Sequence, residues 1–581
     1  MKPFQRFVTW QWLFFLLHFL TACSMFHKRG RQDQDEPNLQ KRFRHNVGDL
    51  FLGNQISGVR TQSVYSDAQM AGAQHVSDLA RTGGEGMKPG NASRDLRNKF
   101  RKGKGWPAIY RAKLRVWSPK LQRETTAIMS IALPHELMGA LAKKNSTAAL
   151  LSQGGMSKAC LEHLLKMCAD WGKPELAGIG LWCDGVPYNF DRTQSLEVVS
   201  LSLPGLEGGH AALRLPVFAV NKKFLMTDST YDDLFAVLAW SFRALAHGTC
   251  PAQRHDGTPF GSSDSKRRRS AGQPIGIAAA LVEVRGDWSM MAHVFRFPAW
   301  NTKRGCCWMC EATPATIRQC GSDGAWRTQR LGHFEFLARM LQFGLTISTL
   351  FGVPGLTTSC FKPDWLHTVD QGCAADFLGG LLWTLLPFFA GSTQKVRCQN
   401  MFLDIRAFYT AHNVDSRYDN FSVKMFHTKQ LYKLRGKAAE VRALVPWAKL
   451  ACDRFLHDGD VQHETIRQAC HELAACYDQL SQANFNVDAM AQHCRKFCVL
   501  SVALEHVSQT IWKVKPKLHL MQELCEMQGD NPAKYWTYRD EDFGGSCAQY
   551  CRHRGGANSF HTSGTSLLQR FYSLHKVPLL D

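Results

Sequence analysis

The chain has 581 residues, and its 70 Lys or Arg against 49 Asp or Glu give a formal net charge of +21 at pH 7. A hydrophobic fraction of 45% excludes a wholly disordered chain and is ample for a buried core. The positive charge favours a polyanionic partner, such as nucleic acid or an anionic membrane surface. The 20 cysteines show no repeating spacing, so reduced and buried thiols fit better than a disulfide scaffold.

Residues 1–26 have the form of a targeting segment. A basic start leads into the apolar run VTWQWLFFLLHFLTACS, which ends on small residues, as in a signal peptide or a membrane anchor. Gln11 and His18 interrupt the run, so a poor spanning helix and a misassigned start codon stay open as alternatives. Residues 27–105 are polar without a sustained period, which predicts a mostly disordered, basic tail.

A basic stretch with interleaved aromatic residues follows, from Arg94 to Arg123. Lys and Arg attract phosphate regardless of sequence, and aromatic rings stack on unpaired bases, so this stretch is a candidate nucleic-acid arm. A solvated surface leading into the first strand is the alternative. The cations predicted to contact nucleic acid here are Arg97, Lys99, Arg101, Lys102 and Lys104.

A second basic run, Lys266-Arg267-Arg268-Arg269, lies in a loop rich in Gly, Ser and Asp between residues 248 and 273. Such a run is typical either of a nuclear import signal or of a loop that grips phosphate, and it also occurs by chance. All four residues are candidate nucleic-acid contacts.

Two apolar runs each lead to an aspartate. Residues 176–182 precede Asp184, and residues 275–284, rich in Ile, Val and Ala, precede Asp287. Both runs predict buried strands, and the carboxyl ends of strands in an open α/β sheet are where ligands and metal ions collect. For Asp287, capping of the next helix is the structural alternative, because Asp is among the best N-cap residues.

Between these acids the pattern predicts two further strands, over 196–203 and 213–220, and a helix over 231–246. The order of strand, strand, strand, helix and strand is that of an RNase H-like core. After Cys310 the pattern is helical. The predicted fold class is therefore α/β plus α, with an RNase H-like mixed sheet and a helical C-terminal region.

Cleavage of a phosphodiester requires activation of a nucleophile and stabilisation of the leaving oxygen, which two divalent metals about 3.5–4 Å apart can provide. Hard cations such as Mg²⁺ need carboxylate ligands. Asp184 and Asp287 supply two carboxylates, and a third acid must come from a helix. The three carboxyl groups are then expected to lie within about 10 Å of one another.

Four motifs together resemble eukaryotic cut-and-paste DDE transposases, nearest to the CACTA-type group. They are CDGVP at 183–187, GDW at 286–288 with CWMC at 307–310, KPDWLHTVDQG at 362–372, and GKAAEVRALVPW at 436–447. The resemblance covers roughly residues 175–455 and departs from the family at Trp288-Ser289, where a turn like Pro-Ala is usual. Taken singly, none of the motifs is specific.

The resemblance implies that a helical insertion interrupts the core after the second acid. The implied divisions are a core over 106–325, an insertion over 326–435, a core helix over 436–460 and a helical region over 461–581. It also implies Asp184, Asp287 and Glu440 as the catalytic acids that bind Mg²⁺ or Mn²⁺. Glu440 competes for the third place with Asp364, Glu541 and Asp542.

Cys307 and Cys310 form half of a zinc site, and a packed thiol pair is the alternative. The resemblance implies that the pair, with His367 and one further residue, binds Zn²⁺ and fastens the insertion to the core. His367 alone would more often be a buried structural histidine.

These patterns predict a nuclear, transposon-derived protein that cuts or joins DNA strands by two-metal chemistry. DNA is the expected partner, no small-molecule substrate is evident, and homo-oligomerisation is left open. One alternative is a domesticated transposase that binds nucleic acid without catalysis. Another treats residues 1–26 as a genuine targeting segment and predicts a secreted or membrane-anchored protein.

Overall fold

The computed structural model describes residues 39–580 except 53–55, 74–75, 82–91, 102, 190, 301, 303–304, 430 and 553–561. It shows a mixed α/β protein with a small central sheet and a largely helical C-terminal region. The apolar segment of residues 1–26 lies outside the described residues. Within the described residues, no helix combines the length and the hydropathy needed to cross a lipid bilayer.

Within the part of the chain that the structure describes, four helices precede the first strand: α1 (Leu39–Leu52), α2 (Gly58–Met70), α3 (Ser77–Ala80) and α4 (Ala92–Arg101). They bury a small apolar cluster, including Phe51, Tyr65 and Leu96, together with Leu574 from the far end of the chain. For the residues described between 39 and 101, this corrects the prediction of a mostly disordered tail. Each helix contributes only a few apolar residues among many polar ones, so the sequence shows no sustained period.

A two-stranded hairpin of β1 (Tyr110–Ser118) and β2 (Arg123–Ile131) comes next, and buried and exposed side chains alternate along β1. Three helices then lead to the central sheet: α5 (Pro134–Ala142), α6 (Thr147–Leu150) and α7 (Lys158–Asp170). The alternation gives β1 one face toward the core and one face toward solvent.

The central sheet contains the strands predicted around the two aspartates. β3 (Ala177–Pro187), β4 (Ser195–Ser202) and β5 (Leu215–Asn221) are antiparallel neighbours. α8 (Thr227–His247) and the short α9 (Ser265–Ser270) connect them to β6 (Ala279–Arg285), which pairs in parallel with β3. The strand order is β5-β4-β3-β6. β3 and β6 are buried over most of their length, as expected for their largely apolar sequences, although β6 also carries Glu283.

The chain after β6 is mainly helical. Its elements are α10 (Trp288–His293), α11 (His333–Gln342), a π-helix (Leu366–Ala374) running into α12 (Ala375–Leu385), α13 (Gln394–Ala411), α14 (Val423–Phe426), the short strands β7 (His427–Thr428) and β8 (Leu431–Tyr432), α15 (Ala438–Phe455), α16 (Val461–Asp478), α17 (Val487–Val507), α18 (Lys517–Gln522) running into a second π-helix (Glu523–Met527), α19 (Tyr538–Arg552) and α20 (Thr562–Leu574).

The helix that returns to the sheet is α19, which packs on β3 and β4, while α20 packs on β5 and β2. The sequence predicted this role for a core helix over 436–460. The structure instead places α15 mainly against the first π-helix, α12 and α16. Between β6 and α19 the chain is mainly helical as far as residue 527, whereas the predicted helical insertion ended at residue 435.

Candidate functional site

Two neighbouring parallel strands, β3 and β6, each lead to an aspartate, and the two aspartates lie at the same level of the sheet. Trp182 on β3 pairs with Arg285 on β6, and Asp184 and Asp287 each follow two residues later. The two acids therefore lie at the same edge of the sheet. Asp287 is also the N-cap of α10, and its Oδ1 accepts a hydrogen bond from the Met290 backbone N–H at 2.6 Å. Asp287 therefore caps the next helix, as the structural alternative predicted, and still lies at this edge of the sheet.

A third acid, Glu541, reaches the same place from the first turn of α19. One carboxylate oxygen of Asp184, one of Glu541 and one ring nitrogen of His367 all lie within 4.8 Å of one another. α19 can approach β3 closely because residue 544 is glycine. A Cβ there would lie 2.9 Å from the Trp182 ring and 2.8 Å from a Val186 methyl group. Glu541 lies one turn before this contact and is thereby held over the end of β3.

His367 is oriented by a second carboxylate. Its Nδ1 lies 2.6 Å from Oδ2 of Asp364, which leaves Nε2 to face the cluster, 3.7 Å from Oε1 of Glu541. Asp364 is itself held by the Leu366 backbone N–H at 2.8 Å and by the Thr537 hydroxyl at 2.9 Å. A carboxylate behind a histidine in this way fixes the ring and its tautomer for metal binding.

The first π-helix also positions α19. Oδ1 of the buried Asp370 accepts the Tyr477 hydroxyl at 2.5 Å, and its Oδ2 accepts the Tyr538 hydroxyl at 2.7 Å. Tyr538 opens α19, so the KPDWLHTVDQG segment contacts the start of this helix through both Asp364 and Asp370. π-Helical turns often occur at functional sites, where they redirect side chains.

On its other side, α19 is anchored by a buried ion network. Asp540 forms ion pairs with Arg214 and with Arg285, and the Arg285 Nη1 to Asp540 Oδ2 distance is 3.2 Å. Arg285 also pairs with Glu283 on β6. Asp540 and Glu541 are adjacent, so the ion network and the acid cluster are supported by the same helical turn.

The cluster carries more negative charge than its one histidine can balance. Burial raises the pKa of Asp184 well above its ordinary value, and the neighbouring Glu541 raises it further. Burial also raises the pKa of Glu541 to about 7. Burial lowers the pKa of His367, but Asp364, with Asp184 and Asp287, outweighs this effect and raises the pKa to about 9. A bound cation would relieve this excess, because it favours the ionised carboxylates.

Glu440, the predicted third acid, has a different local role. Its carboxylate accepts a hydrogen bond from the Lys437 backbone N–H at 2.8 Å and caps the start of α15. Among the described residues, Glu440 belongs to neither group of side chains that could hold a metal ion. The structure therefore brings Asp184 to the same edge as Asp287, and it places Glu541, one of the competing candidates, close to Asp184.

A second group of potential ligands contains the CWMC pair. Cys307, Cys310, His519 and Glu523 are all buried, and one ligand atom of each lies within 4.8 Å of the others. Cys310 Sγ is 3.2 Å from His519 Nε2, and Cys307 Sγ is 3.8 Å from Glu523 Oε1. The sequence paired these cysteines with His367. The structure pairs them with His519 instead, because Asp364 and the acid cluster engage His367.

The electrostatics of this second group favour a thiolate. Burial raises the pKa of Cys307, but a hydrogen bond from Cys310 and the charge of His519 outweigh it and lower the pKa to about 6. Both oxygens of Glu523 also accept hydrogen bonds from Arg330 at 2.8 Å. His519 Nδ1 is buried and has no hydrogen-bond partner among the described residues. All described cysteines are free thiols.

The predicted nucleic-acid residues of the arm make mostly internal contacts. The Arg97 guanidinium lies over the Phe51 ring at 5.6 Å, Lys99 donates to the Asp78 carbonyl, and Lys104 donates to the Leu574 carbonyl at 2.9 Å. Lys102 and the side chain of Arg101 lie outside the described residues.

The KRRR run lies in α9, and its four side chains do not share one environment. Lys266, Arg268 and Arg269 are exposed, whereas Arg267 is largely buried in ion pairs with Glu136 and Asp264, each at 2.7 Å. The run is therefore three solvent-facing cations on one anchored turn.

No protein-family model and no curated protein matches this chain. The candidate sites therefore rest on their own geometry. Sequence reasoning missed His519, and it ranked Glu541 below Glu440. The signals available for them were weak: a histidine in VKPKLHL and an acid in the run RDED.

Proposed function

We propose that the protein has an RNase H-like core and cuts or joins DNA strands with divalent metal held by Asp184, Asp287 and Glu541. The observation that carries the proposal is the meeting of Asp184, Glu541 and His367 within 4.8 Å, at the edge of the sheet where Asp287 also lies. The strand order β5-β4-β3-β6, with β6 parallel to β3, supports the assignment of the core. The four transposase-like motifs support the choice of DNA as substrate.

The donor set fits Mg²⁺ or Mn²⁺. Carboxylate oxygens are the ligands that these cations prefer, and an added imidazole suits Mn²⁺ better than Mg²⁺. When bound, such cations activate an attacking water or hydroxyl and stabilise the leaving oxygen of a phosphodiester. The protein side chains supply position: Gly544 and Asp370 set the place of Glu541, and Asp364 orients the His367 ring.

The second group fits Zn²⁺. Thiolate and imidazole donors in a fully buried setting are typical of structural zinc, and the lowered pKa of Cys307 favours binding. Cys307 and Cys310 follow the sheet, and His519 and Glu523 precede α19. A zinc ion there would join the start of the helical region to its end. Metal analysis of the purified chain tests this, with about one zinc per chain as the expected result.

The catalytic proposal is tested by strand cleavage and strand transfer on plasmid DNA in Mg²⁺ or Mn²⁺. Wild type should cut, and Asp184→Ala and Asp287→Ala should lose activity by about a thousandfold or more, as expected when metal ligands are removed. Equal activity in all three proteins would remove the catalytic claim. An inactive wild type that still binds DNA would favour the domesticated, non-catalytic alternative.

A further inference from the structure

Two basic segments that are far apart in the chain are joined by hydrogen bonds. α9 carries the SKRRRS sequence, and β1 carries alternating Arg and Lys. Arg267 on α9 donates to the Ala108 carbonyl at 2.5 Å, just before β1. Arg254 donates to the Arg111 carbonyl and to Asp264 Oδ2, each at 2.6 Å. These bonds attach α9 firmly to the beginning of β1.

The attachment uses buried groups and leaves other cations exposed. The guanidinium groups of Arg254 and Arg267 lie over the Tyr110 ring, at 4.7 and 5.1 Å from its centre. With Arg267 turned inward, its neighbours on α9 face solvent, and the alternation of β1 turns Arg111 and Lys113 outward. The exposed cations, which we call the basic platform, are Arg111, Lys113, Lys266, Arg268 and Arg269.

The acids in contact with these elements are already engaged. Glu136 pairs with Arg267, Asp264 pairs with Arg254 and Arg267, and Asp233 pairs with Arg115. Within the described part of the chain, no ion pair to a platform residue is found. The platform therefore presents five uncompensated positive charges on one strand and one helical turn that are fixed relative to each other.

We propose that the basic platform binds the sugar-phosphate backbone of duplex DNA. Backbone binding needs an array of cations and no particular base sequence. Platforms for single strands add exposed aromatic rings for base stacking, whereas the Tyr110 ring here is buried beneath two guanidinium groups. The proposal names a DNA contact surface for the proposed strand-cutting function and rests on it for the choice of partner.

The test is the salt dependence of duplex DNA binding by the full chain. In one variant, Lys266→Ala, Arg268→Ala and Arg269→Ala are combined, and a second variant combines Arg111→Ala with Lys113→Ala. The matched control combines Lys395→Ala, Arg406→Ala and Lys424→Ala, which removes three exposed cations from α13 and α14. Thermal unfolding of each protein checks that it is folded.

Each lost phosphate contact should reduce the slope of log K against log salt by about 0.9 for duplex DNA. The magnitude of the slope should therefore fall by about 2.7 in the α9 variant, by about 1.8 in the β1 variant and by less than about 0.9 in the control. Equal slopes in the platform variants and the control would overturn the proposal. The proposal would also be overturned if the α9 variant bound DNA as wild type does but lost nuclear import. The Lys266–Arg269 run would then be assigned to binding an import receptor.

Failure of the proposed catalytic function would give a different pattern. Asp184→Asn should keep the wild-type binding slope while it loses cleavage. Wild-type protein that binds DNA through the platform but never cuts would leave the platform in place and remove the catalytic claim.

Discussion

The two groups of potential metal ligands differ in donors and in exposure. The acid cluster of Asp184, Glu541 and His367 contains oxygen donors and two partly exposed members, whereas the thiol cluster of Cys307, Cys310, His519 and Glu523 is buried throughout. Structural metal sites are closed by four protein ligands, and catalytic sites keep a position open for water or substrate. The comparison therefore separates a site suited to chemistry from a site suited to holding the helical region.

The two clusters are linked through the chain between them. The second π-helix contains Glu523, and α19 with Glu541 follows after a short connection. A metal that fixes the thiol cluster also fixes the point from which the chain returns to the sheet. The thiol cluster is thus expected to affect activity indirectly, through the position of α19, while the acid cluster affects it directly.

The largest expected effect distinguishes Glu541 from Glu440. Glu541→Gln removes a carboxylate from the acid cluster and should lower the rate of DNA cleavage by about a thousandfold or more. Glu440→Gln changes only the cap of α15, where a Gln amide oxygen can accept the same hydrogen bond, so it should leave the rate within about twofold and cost about 0.5 kcal/mol of stability or less. Cleavage kinetics and thermal unfolding of both variants check this. The reverse result would restore Glu440 as the third acid.

The contrast between these two glutamates also shows how far the sequence could reach. The places of Asp184 and Asp287 were predictable, because each follows an apolar run and the strand order puts those runs side by side. Glu541 was not, because the helical region separates it from both strands in sequence. Its place depends on local packing: on Gly544, which lets α19 approach Trp182, and on Asp364 and Asp370, which hold the start of α19.

Sequence reasoning met the same limit at the thiol cluster. The C-x-x-C spacing identified Cys307 and Cys310 as half a site, since both are close in the chain. His367 was chosen as their partner from its motif context, but that histidine is held by Asp364. His519 lies on α18, and only the packing of that helix against the loop of the cysteines shows the pairing. The N-terminal helices were missed for a related reason, as their apolar cluster is completed by Leu574.

The next effect tests the thiol cluster as a structural site. Cys307→Ser should remove bound zinc and lower the free energy of unfolding by about 3 kcal/mol or more, because zinc binding is coupled to folding. Metal content and thermal unfolding are the measurements. Cys306→Ser alters the adjacent buried thiol, which is not in the cluster, and should keep its zinc. If neither variant loses zinc, the thiol cluster is not the zinc site.

A smaller effect is expected at Asp364, which acts through His367. Asp364→Asn should weaken metal binding at the acid cluster by about 10–100-fold, as found for carboxylates that orient a histidine ligand. Cleavage measured against Mn²⁺ concentration should shift to higher metal, and saturating Mn²⁺ should restore much of the rate. Zinc content should remain at the wild-type level. A rate that no Mn²⁺ concentration improves would show that Asp364 has a different role.

The smallest expected effect is the pH dependence of stabilisation by Mg²⁺ or Mn²⁺. The pKa of Glu541 is about 7 in the folded, metal-free protein, above its ordinary value of 4.5. Its contribution to stability is therefore present below pH 4.5 and is lost as pH rises through about 7. The cation binds the ionised form, so its stabilising effect should grow over the same range. Added Mn²⁺ should raise Tm by a few degrees more at pH 8 than at pH 5.5, and Glu541→Gln should reduce this difference. A Tm shift that is equal at both pH values would place the cation away from Glu541 and would weaken the distinction between the acid cluster and the thiol cluster.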